Sequence, residues 1–275
     1  MKCPCRRALS PQTSVLATVA ALTAIAVPFG TASTAEPASA ETPTAHACTW
    51  KPTAAGTYPW TDAANWSGAV PNAKGSIAGL NIGRKGRMTV DLRTAVTLGG
   101  LDIAGPSAQA DFAAVSVVGA APLTFEAATP GVPTRLNISQ GKVPTGIRLD
   151  LASGIRLGGS SPLKVAISSP SVFDCAVRSI DLGANTFTIA GARRFNPGDG
   201  WKGVGFQVGS LSGSGDYIQE GPGTSLQADC PAFTGRLIVN NGDCSVQGLP
   251  AASEYVVAGA FLHIPASKAI GARWE

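Results

Sequence analysis

From Cys48 onward the chain is a succession of segments about four to six residues long in which apolar side chains alternate with polar or small ones. Examples are "RMTVDL" (87–92), "RLNIS" (135–139), "GIRLDL" (146–151), "PLKVAI" (162–167), "NTFTIAG" (185–191) and "GRLIV" (235–239). A period of two puts every second side chain on one face, which is the signature of a half-buried strand. Each segment ends at a corner rich in Gly, Pro, Asn or Ser, and no run carries helical spacing. The pattern predicts an all-β protein. The segments are interchangeable and no long hairpin pair stands out. "IDLGANTFTIAG" (180–191) and "YVVAGAFLHIP" (255–265) both read strand, small-residue corner, strand. Units of that kind bury their apolar face only by stacking on neighbours, which favours a parallel β-helix, with a β-sandwich as the alternative architecture.

The glycine-rich stretch "LSGSGDYIQEGPG" (211–223) tests that reading. It lacks the Gly-Lys-Ser/Thr of a phosphate-binding loop, and no third glycine follows Gly213 and Gly215 at dinucleotide-binding spacing. Strand-like segments flank it tightly, so it reads as a corner rather than a linker. Residues 208–248, "VGSLSGSGDYIQEGPGTSLQADCPAFTGRLIVNNGDCSVQG", resemble the autotransporter-associated β-strand repeat. The matching positions are Gly213, Gly215, Gly221, Gly223, Phe233, Thr234, Gly235, Asn241 and Gly242. Upstream, "WTDAANWSGAVPNAKGSIAGLNI" with "MTVDLRTAVTLGGLDI" is similar to the start of large exported bacterial β-helix proteins. The resemblance implies a right-handed parallel β-helix with an adhesive or cell-surface structural role. The chain departs from that family in carrying no C-terminal membrane barrel pattern and in placing cysteines at 230 and 244.

The N-terminus changes the bulk picture. "MKCPCRR" followed by the apolar run "VLATVAALTAIAVPFG" has the form of a signal peptide, expected over 1–35, with small-residue cut sites ending at Ala35 and Ala40. Arg6 and Arg7 hint at a twin-arginine route, whereas "AHAC" lies too far past the apolar run and lacks the leucine of a lipobox. Residues 36–47, "EPASAETPTAHA", form a polar, Pro-containing spacer, and the β-helix domain is expected over 48–275, with a Trp-rich cap at 48–75. Removing Lys2, Arg6 and Arg7 from 21 basic residues leaves 18 against 17 acidic ones. A balance so close to neutral gives no electrostatic case for nucleic acid or an anionic membrane, and nothing after residue 35 is long and apolar enough to span a bilayer. The expected location is extracellular or cell-surface, with polysaccharide or cell-surface components as partners.

Four cysteines remain after the leader: Cys48, Cys175, Cys230 and Cys244. An even count in an exported chain predicts two disulfides, of three possible connectivities. A Cys230–Cys244 bridge would close a loop of about 15 residues, worth roughly 3 kcal/mol. A Cys48–Cys175 bridge would have to span some five or six coils, on the order of 25 Å, against the ~7 Å a disulfide allows between Cα atoms. That pairing therefore requires the N-terminal segment to fold back along the solenoid, or the solenoid to be discontinuous. Zinc is not expected: there is no Cys-x-x-Cys, and His46 and His263 are the only histidines.

Candidate chemistry is thin. Trp50, Trp60 and Trp66 have either of two roles, a stacking platform for sugar rings or a plug over the first coil, and the plug is preferred because an open solenoid end needs one. Carboxylates are the only plausible catalytic groups. Asp199, beside Arg193 and Arg194 in "ARRFNPGDGW", is the candidate, and the competing reading is a solvated turn. The Gly-Gly-x-Gly-x-Asp nonapeptide of calcium-binding β-rolls is absent. No cofactor or metal is expected. The leading function is a non-enzymatic exported scaffold, and the alternative is a carbohydrate-active enzyme, either polysaccharide lyase or glycoside hydrolase, on the same fold.

Overall fold

The structure, a computed structural model, describes residues 48–81, 86–104, 112–139, 146–168, 173–191, 205–221, 224–226, 230–246, 251–258 and 260–263. The chain divides into two units, Met1–Thr44 and Ala45–Glu275. The first, with the expected leader and most of the spacer, lies outside the described residues. The second is a parallel β-helix. Its strands form three sheets of nine, nine and five strands; every coil contributes one strand to each of the first two, and five of the coils add a strand to the third. One coil, for example, runs through Leu163–Ser168, Phe173–Val177 and Ile180–Asp181. Among the described residues every strand pairing is parallel, with the equivalent strand of the next coil. A β-sandwich would need antiparallel neighbours in two facing layers, and that architecture is not present. The only helical element among the described residues is a single 3₁₀ turn, Ala63–Asn65.

Register makes the core. In the first sheet the inward positions stack as Ala78, Leu101, Leu136, Val165 and Ile189, one per coil, all buried. In the second they stack as Val90, Val117, Leu151, Val177 and Val208. In the third, Val96, Leu123, Ile155, Ile180 and Leu211 do the same. Each valine, leucine or isoleucine among them contributes about 1.5–3 kcal/mol by leaving water, and β-branched and leucine side chains fill a pleated interior well. Phe187 lies over Tyr217 with ring centroids 5.3 Å apart and planes 15° from parallel, a stack imposed by the same register.

The glycine motif has a physical explanation. Gly213 takes φ = 107°, a conformation side chains rarely adopt, where the chain leaves the strand Leu211–Ser212. Gly215 sits directly on the Asn185 backbone and Gly235 directly on Gly215, so a Cβ at either would run into a carbonyl of the coil below. Phe233 is fully buried and bridges Gly213, and the Thr234 amide donates to the Gly213 carbonyl over 2.8 Å. The coils here are short: Tyr217 stacks on Leu237 and Leu237 on Tyr255, steps of 20 and 18 residues in the sequence. Of the other motif positions, Gly223 lies outside the described residues.

Stacking also disciplines charge. Arg236 lies between Asp216 of the preceding coil and Glu254 of the following one. It forks onto Asp216 with contacts of 3.0 and 2.6 Å. This hydrogen-bonded guanidinium holds the Asp216 carboxyl below the usual carboxylate range. A carboxyl with a depressed folded-state pKa stabilises the protein above its unfolded value, about 3.9, and the contribution is lost as pH falls through the folded value. The stability lead of the native chain over Asp216→Asn in urea unfolding should therefore be full at pH 6 and shrink as pH drops below about 4. Independently, Gly235→Ala should lower stability by about 1–3 kcal/mol through overpacking, read as a lower urea midpoint at unchanged m-value.

Candidate functional site

The three tryptophans sit at the start of the β-helix, around the edge strands Cys48–Thr49 and Gly56–Pro59. They are 2, 0 and 2 % exposed for Trp50, Trp60 and Trp66. Trp66 packs edge-on against both others, at centroid distances of 4.8 and 4.7 Å. Each indole N–H is used internally: Trp60 donates to the Pro71 carbonyl, Trp66 to the Trp60 carbonyl, and Trp50 lies 3.2 Å from the Met88 sulfur. An Asp62 cap on the 3₁₀ turn and an antiparallel bridge between Trp50 and Trp66 fold the segment onto itself. No indole face is left for a sugar ring. The ligand-binding expectation for these residues is corrected accordingly; they close the interior of the first coil.

The disulfide expectation is corrected as well, since no disulfide is present among the described residues. Cys48 stacks on Ala78, and four coil steps, on the order of 19 Å along the axis, separate it from the coil that holds Cys175 on a different sheet. Cys175 and Cys244 both occupy the row that runs through Met88, Val115 and Leu149, yet the positions of Phe206 and Thr224 intervene. Cys230 and Cys244 are fourteen residues apart in a region where a coil takes twenty, so they fall on different sides of the solenoid. Buried cysteine here is a small apolar step in a ladder.

Asp199, Arg193, Arg194 and His46 lie outside the described residues. His263 ends the last described strand, Phe261–His263. Several of the described carboxylates are engaged by neighbouring coils or their own turns. Asp102 takes Arg135 at 2.9 Å and Asn137 at 2.9 Å, Asp181 takes Arg156 at 3.2 Å, and Glu126 takes Lys74 at 2.6 Å. Among the described residues no three His, Cys, Asp or Glu side chains gather to hold a metal ion.

Two surface features remain. The first is a row on the outer face of the second sheet, one residue per coil. It runs through Thr57, Thr89, Ser116, Asp150, Gln207 and Ser245, with Ala176 as its one apolar step and Ser225 and His263 completing the register. The second is an open groove of about 550 Å³ at the corner between the second and third sheets. It crosses four coils and is lined by the serines at 153, 179, 210 and 212 together with Arg156, Arg178 and Asp181. The corner is only two residues long between buried Val177 and Ile180, and again between Val208 and Leu211. Its backbone is satisfied by the next coil: Ile155 N–H donates to the Ser179 carbonyl, and Ile180 N–H to that of Ser210. The hydroxyls and guanidinium groups are what it presents outward. "LASGIRL" (151–157), "VRSIDL" (177–182) and "VGSLSG" (208–213) share an apolar residue, a spacer, a serine and then an alternating strand, which is the sequence signal that marks this corner.

No protein-family profile, curated protein or solved structure matches the chain.

Burial raises the Cys175 thiol well above its ordinary value, so it is protonated at any working pH. Native protein treated with iodoacetamide at pH 8 should leave Cys175 unmodified, and denaturant should expose it to alkylation. A non-reducing peptide map should recover Cys175 as the alkylated thiol, never in a cross-linked peptide.

Proposed function

We propose that the chain is an exported, non-enzymatic β-helix scaffold with an adhesive or cell-surface structural role, related to the autotransporter-associated β-strand repeat proteins its residues 208–248 resemble. The observation that carries this reading is the outer row of the second sheet. Short polar side chains recur there at the coil spacing of about 4.8 Å, from Thr57 through Ser116 to Ser245. A rigid, regularly spaced line of hydroxyl, amide and carboxylate groups suits contact with a repetitive partner such as a polysaccharide or another surface component. The use of described carboxylates is a second support. Asp102, Asp174, Asp181 and Asp216 each face an arginine of an adjacent coil, which ties them to stacking rather than leaving an acid pair poised across a groove. The basic, apolar N-terminal sequence supports export.

The competing reading, a polysaccharide lyase or glycoside hydrolase, rests on Asp199. The full chain, expressed in cells that export it, should be recovered outside them, cut after Ala35 or Ala40. It should release no reducing or unsaturated ends from a panel of neutral and acidic polysaccharides. Release that disappears in Asp199→Asn would replace the scaffold with the enzyme. Recovery of the uncut chain inside the cells would remove the exported role.

A further inference from the structure

The geometry points to the serine–arginine groove as a binding site for one strand of an acidic polysaccharide, a chain bearing repeated carboxylate or sulfate groups. Arg178 is exposed and makes no ion pair among the described residues. Arg156 shares Asp181 across one coil step, Nε to Oδ2 3.2 Å, with both side chains substantially open to solvent. The described lining therefore holds two guanidinium groups to one carboxylate, a net positive charge on a chain that is near neutral once the expected leader is removed. Planar guanidinium forks match carboxylate and sulfate oxygens in pairs, so the charge selects for those groups rather than for a diffuse anion.

The remaining lining fixes the rest of the ligand. The hydroxyls of Ser179, Ser210 and Ser212 make no hydrogen bond among the described residues and can both donate and accept, as sugar hydroxyls require. Among the described residues no aromatic ring lines the groove, so a neutral sugar would lack the stacking that usually holds one, and a nucleic acid would find no platform for its bases. The groove crosses three coil steps, about 14 Å in all, which suits an extended chain better than a lone ion. It lies at the corner between the second and third sheets, apart from the polar row on the second sheet, and does not depend on the scaffold reading.

The test uses isothermal titration calorimetry on the full exported chain at low ionic strength. The probes are a tetrameric hexuronate, the same tetramer with its carboxyls methyl-esterified, a sulfated oligosaccharide of equal length, and inorganic sulfate. The acidic oligomers should bind and the ester should not, with binding weakened as salt rises. Arg178→Gln should weaken binding about five- to tenfold. Asp181→Asn, which keeps an acceptor for the Gly183 amide but releases Arg156, should tighten it several-fold. A merely structural role for either residue would not move affinity in opposite directions at unchanged unfolding midpoints. Equal binding of acid and ester, inorganic sulfate as tight as the oligomers, or no response to either substitution would each overturn the proposal. Should Arg178→Gln fail to fold, the Asp181→Asn arm still decides. Loss of groove binding leaves the polar row in place, and turnover dependent on Asp199 would leave the groove standing.

Discussion

The interaction on which this molecule depends is the in-register parallel ladder between one coil and the next. Backbone groups of every strand pair with the equivalent strand about 4.8 Å away, so each side chain is laid directly over its counterpart from the preceding coil. A position in the cross-section is thus a column, and a column tolerates only residues that suit one another. The interior columns are aliphatic from Ala78 to Ile189 and from Val90 to Val208. Opposite charges meet in several outer columns, at Arg148 over Asp174, at Arg156 over Asp181, and at Asp216, Arg236 and Glu254 in turn, whereas Arg135 under Lys164 turns aside to Asp102 of the preceding coil.

The same constraint explains where the solenoid needs special residues. Its corners bring backbone onto backbone, which is why Gly215 stacks on Asn185 and Gly235 on Gly215, where no Cβ fits. Asn185 in turn accepts from the Ser161 amide and donates to the Gly159 and Leu182 carbonyls, while the Ser161 hydroxyl accepts from Ala127, a polar brace running across three coils. At the first coil there is no preceding column to bury the apolar edge, and three tryptophans with satisfied N–H groups take its place.

Function, on this reading, is carried by whatever the columns present outward. The polar row of the second sheet offers one group per coil, and the serine–arginine corner offers a channel with surplus positive charge. Both follow from the repetition of the coil rather than from a single assembled cluster of reactive groups.

The sequence by itself determined the strands, the corners and the parallel stack, because alternation of period two and glycine placement are local properties of the chain. "RLNIS" alternates buried and half-buried along its length, and Gly213 occupies the left-handed turn its place in the motif implied. What only the tertiary structure decided was which residues share a column and which side of the solenoid they occupy. Coil lengths vary from 35 residues between Gly100 and Arg135 to 18 between Leu237 and Tyr255, so sequence separation does not translate into position around the axis. For that reason Cys230 and Cys244, expected to pair, lie on different sides, the choice between plug and sugar platform for the tryptophans waited on their burial, and Ser179, Ser210 and Arg178 line a single groove although the sequence scatters them over two coils.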